Sequence, residues 1–451
     1  MTGTRARLLR RREFLAGTAA ASLGSLAGCL DELPWTEDSS GGSVPAGDVD
    51  AVLTADRPPI EWPSPIDPSQ TSIDDARDRI DELLAPLPDL ITAADVPNGV
   101  VRQSIASNRG DAVDGRKSGA ATRYRHLCHS PAAREAARHA RTTFDAIDRD
   151  HESLVADIRT ERADTSETVR TQLDAIDYHG PDTSSGKLRA ALVARQREDD
   201  LVRADRILDD WDGSASDNVI DLGEAAGEIE RASATASVWS HLADRYEASQ
   251  SGAVSLDSSF STAIDRSLDR IATVDFPPQE DEGWYAAVGV DDLDDGGVLE
   301  LALWRVGRGV IDAADGVESA SEAGRLGTAL YHALVFEVRY RAFQTFRDRI
   351  RDGSFAWPAS VSTIEAERSA AFEAAETVRQ SISGPTPGTL VLAETLQSLE
   401  WADERVRNAA DNDPDVHVSL DDEYRLYARC RAELAALPDA VAAFRDRLGG
   451  D

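Results

Sequence analysis

Lysine is almost missing from this chain, with Lys117 and Lys187 its only two among 451 residues. No run of basic residues interleaved with aromatics follows Arg12. That leaves no basic face to lay against phosphates and excludes a nucleic-acid partner. Cysteine is nearly as scarce, and three cysteines make no disulfide framework. Cys128 and Cys430 allow at most one bridge, and Cys430 sits on an apolar seam where a buried free thiol is the simpler expectation. No glycine-rich phosphate loop and no glycine-x-Ser-x-glycine nucleophile elbow is present. Convincing period-2 alternation with hairpin turns is missing as well, which excludes a β architecture.

What the chain has in excess is acid. Asp and Glu number 82 against 48 Lys and Arg, for a formal charge of −34. Residues 1–28 hold five arginines and one acid, so the remainder carries 43 basic and 81 acidic residues and a charge of −38. Self-repulsion on this scale is screened within about 3 Å at molar salt. Abundant acid, little lysine and many alanines resemble the composition of halophilic archaea. Solvation in brine accounts for the acidity without any partner; a cation store or a sink for basic ligands is the sharper alternative.

The first thirty residues form an address. The apolar run from Phe14 to Ala27 is far short of the roughly 20 residues that span a membrane. Before it, Arg11, Arg12, Phe14 and Leu15 fit the twin-arginine pattern that an export machine reads. The run closes on Leu26, Ala27, Gly28 and Cys29, which resembles a lipobox: small residues for a signal peptidase, then a cysteine that takes the lipid. Over these residues alone, the chain resembles a haloarchaeal lipoprotein exported by the twin-arginine route. The resemblance implies the twin-arginine export machinery as a partner, lipidation of Cys29, and anchorage to the cell membrane on its extracellular face. Residues 29–70, rich in Ser, Gly and Pro, are then expected as a flexible tether.

From Ile73 onward the apolar periodicity is helical, and the expected fold is all-α. Leu201, Ala204, Leu208 and Trp211 make one seam, and Ile229, Ala232, Ala236, Trp239, Ala243 and Tyr246 another. Tyr427, Cys430, Leu434, Leu437, Val441, Phe444 and Leu448 keep register across Pro438, which predicts one helix rather than a reversal. The apolar residues between Leu326 and Ile350 mark the most buried helix. Ser130-Pro131 fits a helix start, opening a long helical stretch towards Ile176. Breaks after Ser249 and up to Gly297 divide the body into helical regions 71–250 and 298–451, joined by an irregular connection, 251–297. An elongated antiparallel helical bundle and two packed helical subdomains both fit this pattern.

The densest candidate site is His126, His129, Glu135 and His139. Each pair could share a helix face and supply metal ligands, but Ser130-Pro131 is expected to break the helix between them, and the spacing matches no zinc signature. His151-Glu152 lacks a second histidine at Val155, and the acidic loop Asp291 to Gly297 has Leu293 and Ala302 where a calcium loop needs oxygen ligands. His332 lies near Glu337 and Arg341, whose spacing is that of a simple helix ion pair. No catalytic residue and no cofactor is expected. The sequence points to a membrane-tethered helical protein of the cell envelope that binds a protein, an envelope component or a small solute. The alternative is a metal- or haem-dependent enzyme, or a metal-binding lipoprotein, using the His126 to His139 patch.

Overall fold

Apolar residues that return every three or four positions become helices here, and local capping decides where each helix stops. The computed structural model describes residues 43–449 except 118, 120–121, 211–217, 275, 280–282, 291–297 and 359. The signal, the lipobox, Trp211 and the acidic loop 291–297 lie outside the described residues. The N-terminal helices are α1 (Gln70–Leu84), α2 (Gly99–Lys117), α3 (Arg123–Asp145), α4 (His151–Asp174), α5 (Ser184–Asp210) and α6 (Val219–Ser249). After them come α7 (Asp257–Val274), α8 (Trp284–Ala287), α9 (Val298–Glu322), α10 (Leu326–Arg351), α11 (Val361–Ser381), α12 (Pro387–Ala410) and α13 (Asp421–Arg447). The fold is all-α. Its strands are two short antiparallel pairs, β1 (Ser43–Pro45) with β4 (His417–Ser419) and β2 (His179–Pro181) with β3 (Ala253–Ser255).

Both proline-containing helices are continuous through their prolines. Helix α13 passes through Pro438 with its seam from Tyr427 to Leu448 buried. Helix α3 passes through Pro131, so Ser130 is not a helix start; Thr122 is the N-cap, accepting from the Arg125 backbone N–H at 3.2 Å. The reason is local. Pro131 cannot donate to the Leu127 carbonyl four residues back, and the Ser130 hydroxyl donates to that carbonyl instead, at 2.8 Å. The stretch towards Ile176 is two helices, because Asp150 caps α4 by accepting from Ser153 N at 2.9 Å.

Two stretches expected to be irregular are ordered. Within 251–297, α7 buries Phe260, Ala263, Ile264 and Ser267, and the serine-rich stretch before it holds β3. Within 43–69, Val44, Val49, Val52 and Ile66 are buried in the main core, so this part of the expected tether is a strap on the body. Arginines hold the strap's carbonyls: Arg368 donates to Val52 and Ala55, and Arg189 to Pro65 at 2.8 Å. Ala46–Leu53 pairs its own backbone as a 3-10 helix, and side chains from the body's helices take carbonyls at its end and in the proline-rich stretch beyond.

One apolar core runs from Val44 to Leu448 and draws on both halves of the body. The described residues belong to one unit, with α5 as the joint between the halves. Helix α10, with fifteen buried residues, starts without a side-chain cap of its own. Glu198 of α5 supplies it, accepting from Gly327 N at 3.0 Å, Thr328 N at 2.7 Å and Tyr178 OH at 2.7 Å. A carboxylate against the orphan N–H groups of a helix start is favourable twice over, by hydrogen bonding and by the helix dipole. Gly327 is required for the approach, since a Cβ there would lie 2.5 Å from the Arg195 backbone nitrogen.

The other fully buried carboxylates are satisfied in the same spirit, by arginine. Glu230 takes Arg79 and Arg134; Glu367 takes Arg349 and Arg431; Glu423 takes Arg405. Asp403 receives both nitrogens of Arg368's fork at 2.8 Å and the Tyr427 hydroxyl at 2.8 Å. Glu337, with no exposure, pairs with Arg341, Arg447 and Arg270. The i, i+4 pair with Arg341 is present as the sequence suggests, and two more arginines arrive from α7 and the end of α13.

A charged cleft between three helices

Between α3, α5 and α6, with α12 and Trp62 closing one side, lies a cavity of about 480 Å³. Helix α5 presents Gln196, Asp199, Asp200 and Arg203 to it. Their spacing, i, i+3, i+4, i+7, is one face of a helix, bordered by Ala204 of the apolar seam, which also lines the cleft. Helix α3 contributes Tyr124, Arg125 and Cys128, and α6 contributes Trp239. Tyr124 donates to Gln196 at 2.8 Å, and burial pushes its phenol well above 10.

The charges of the cleft fall into two sets. Asp199 is shared by Arg195 at 3.0 Å and Arg203 at 3.1 Å, and Arg231 pairs with Glu135 at 2.8 Å. The second set has no internal counter-ion among the described residues. Asp200 Oδ2 accepts from the Trp239 indole N–H at 2.8 Å, and no arginine lies within ion-pair distance of it. Burial therefore pushes its carboxyl above the usual range, with the indole bond opposing and Asp199 adding to the rise. Glu394 of α12 accepts from Tyr331, and burial raises it as well. Arg125 has no carboxylate partner; its guanidinium lies 4.6 Å from the centre of the Trp62 ring, and its Nη2 is 3.2 Å from His129 Nε2.

Cys128 borders the cleft as a free, half-buried thiol, and Cys430 is free and fully buried. Burial and the charge of Asp200 push the Cys128 thiol up to about 12, so it carries no thiolate for nucleophilic attack.

The four metal-ligand candidates do not meet. On one continuous helix turning about 100° per residue, Glu135 stands about 180° around from His126 and His139 about 220°, both several turns further along. His126 is buried, His129 is exposed beside Arg125, Glu135 is held by Arg231, and His139 packs against Gly223 and Gly227 of α6. Burial lowers the pKa of His129, aided by Arg125, and also that of His139. Among the described residues no group of three His, Cys, Asp or Glu side chains could hold a metal ion. His332 is a packing residue: its ring fills the place a Cβ on Gly316 would take, and burial with Arg195 and Arg339 lowers it to about 4.

Sequence reasoning missed Asp200, Glu394, Arg125 and Trp239 as a group. The polar stripe of α5 was the available signal; Glu394 carries none, because only the packing of α12 brings it to the cleft.

Residues 71–252 are similar to the family model described as Domain of unknown function (DUF8262), and residues 257–446 to that described as Domain of unknown function (DUF8264). The two matches adjoin at β3, which follows the serine-rich break after Ser249. No curated protein and no solved structure matches the chain. Among the described residues no helix is long and apolar enough to cross a membrane.

Proposed function

We propose that this is an exported, lipid-anchored binding protein of the cell envelope, held through Cys29 and offering the cleft between α3, α5 and α6 to a small solute. The observation that supports binding is the state of Asp200 and Glu394. All six fully buried carboxylates of the described body are completed from within, whereas these two half-buried ones line a cavity with no arginine at ion-pair distance, although Arg195 acts on both from further off. A desolvated charge without a partner is costly, and a ligand that completes it recovers that cost on binding. A cavity of about 480 Å³ falls within the range of small-molecule sites, and its walls combine aromatic surface with a few fixed polar groups.

The full-length chain, purified in molar salt, is expected to bind a small solute in a calorimetric screen spanning cations, anions and zwitterions. Ala132→Trp, at an exposed position on the cleft wall, is expected to block it. Failure of every class to bind, or unchanged binding by the Trp variant, overturns the proposal. For the address, Cys29→Ser is expected to release the protein from the membrane or block processing, and Arg11→Lys with Arg12→Lys to trap precursor inside. Unchanged attachment would refute the anchor, and normal export the twin-arginine route.

A further inference from the structure

The groups left incomplete in the cleft can be matched one by one. Two carboxylates, Asp200 and Glu394, lack a cation, and one guanidinium, that of Arg125, lacks an anion. They belong to one cluster. Asp200, Glu394 and Arg125 all line the one cavity of about 480 Å³ between α3, α5, α6 and α12. The remaining cleft arginines are paired, Arg195 and Arg203 with Asp199 and Arg231 with Glu135, with the buried Arg195 Nε left without a hydrogen-bond partner among the described residues.

A ligand that completes this set carries two cationic groups and one anionic group. We infer that the cleft takes a basic amino acid, a diamino monocarboxylate, with its two ammonium groups on Asp200 and Glu394 and its carboxylate on Arg125. Ammonium fits better than a quaternary amine, because Asp200 and Glu394 accept one hydrogen bond each inside the protein and have acceptor capacity left for an N–H donor. A simple inorganic anion would leave both acids uncompleted and meet their repulsion. A simple diamine would leave Arg125 unpaired. The aliphatic stem of the ligand would lie along Val238, Ile207 and the Trp239 ring. Charge-assisted hydrogen bonds at both ends then fix its orientation.

This inference rests on the binding role proposed above. It is tested by calorimetry on the full-length chain in molar salt with three probes: L-lysine, L-norleucine, which lacks the side-chain ammonium, and cadaverine, which lacks the carboxylate. L-lysine is expected to bind at least about tenfold more tightly than either, the worth of one charge-assisted hydrogen bond. Arg125→Gln is expected to abolish the preference over cadaverine, and Glu394→Gln or Asp200→Asn the preference over norleucine, with unchanged circular dichroism. Equal affinity for all three probes overturns the inference. If another solute binds and is blocked by Ala132→Trp while L-lysine is not bound, the inference falls and the binding role stands. If nothing binds, both fall.

Discussion

Glu337 and Glu394 are both glutamates on long helices, and they have opposite surroundings. Glu337 is completely buried and has three arginines around it; their charges outweigh its desolvation and hold its carboxyl below the usual range. Glu394 is half-buried, has a tyrosine and no paired cation, and is raised. The same contrast separates Glu230 from Asp200. A chain with a formal charge of −34 and few cations has placed its arginines on the acids that hold helices together. In the cleft Asp199 is paired but Asp200 and Glu394 are not, which is the arrangement the binding role proposed above requires.

The comparison breaks most visibly if a clamped acid is removed. Glu337→Ala is expected to cost about 3–5 kcal/mol, because it leaves three guanidinium groups facing one another without an anion. Denaturant unfolding in molar salt measures it, and high salt is a fair condition because buried pairs are screened far less than surface ones. A loss under about 1 kcal/mol would mean the clamp is a surface pair in all but position. Glu198→Ala comes next, at about 2–4 kcal/mol, since it orphans two N–H groups at the start of α10, while the Tyr178 hydroxyl keeps its bonds to Gly324 and Leu326. Hydrogen exchange of the first turn of α10 would locate the damage at the joint between the two halves.

Much of this was legible in the sequence, and the division has a physical cause. Seams such as Tyr427 to Leu448 are local and periodic, so the all-α fold and the passage of α13 through Pro438 could be read from spacing alone. The Glu337 and Arg341 pair was also local. Its completion by Arg447, 110 residues away, was not, and neither was the placing of Asp200 and Glu394 on one cavity. The expected tether failed for a related reason. Proline and serine content says nothing of the 3-10 helix at Ala46–Leu53, nor of Arg368 and Arg189 reaching across to the strap's carbonyls. The metal patch failed because Ser130 lets α3 continue through Pro131, which fixes His126 and His139 on different sides of one helix.

pH sharpens the contrast because Glu230 and Glu337 titrate with the opposite sign to Asp200 and Glu394. Glu230 and Glu337 have lowered values, so their stabilisation is fully present above the ordinary glutamate value and is lost as pH falls through the lower folded value. Asp200 and Glu394 have raised values, so between the ordinary and the raised value the folded state holds more protons than the unfolded one, and stability falls as pH rises through that window. Stability of Glu337→Gln followed against pH is expected to lose part of the acid-side slope, Glu230 keeping the rest, and to keep the other slope. The double variant Asp200→Asn, Glu394→Gln is expected to do the reverse.

The smallest expected effect is the most informative. Asp200→Asn alone should change stability by no more than about 1 kcal/mol, since the amide oxygen can still accept from Trp239 and no arginine is left behind without its anion. An acid that held the fold would behave like Glu337 and drag stability down by several times that amount. An acid kept for a ligand should be dispensable to the fold and indispensable to binding. A small or slightly positive stability change together with lost solute binding would place Asp200 in the second class. A large loss of stability would move it into the first, and the reason for leaving these two carboxylates uncompleted would have to be sought in the packing of α5 against α6 instead.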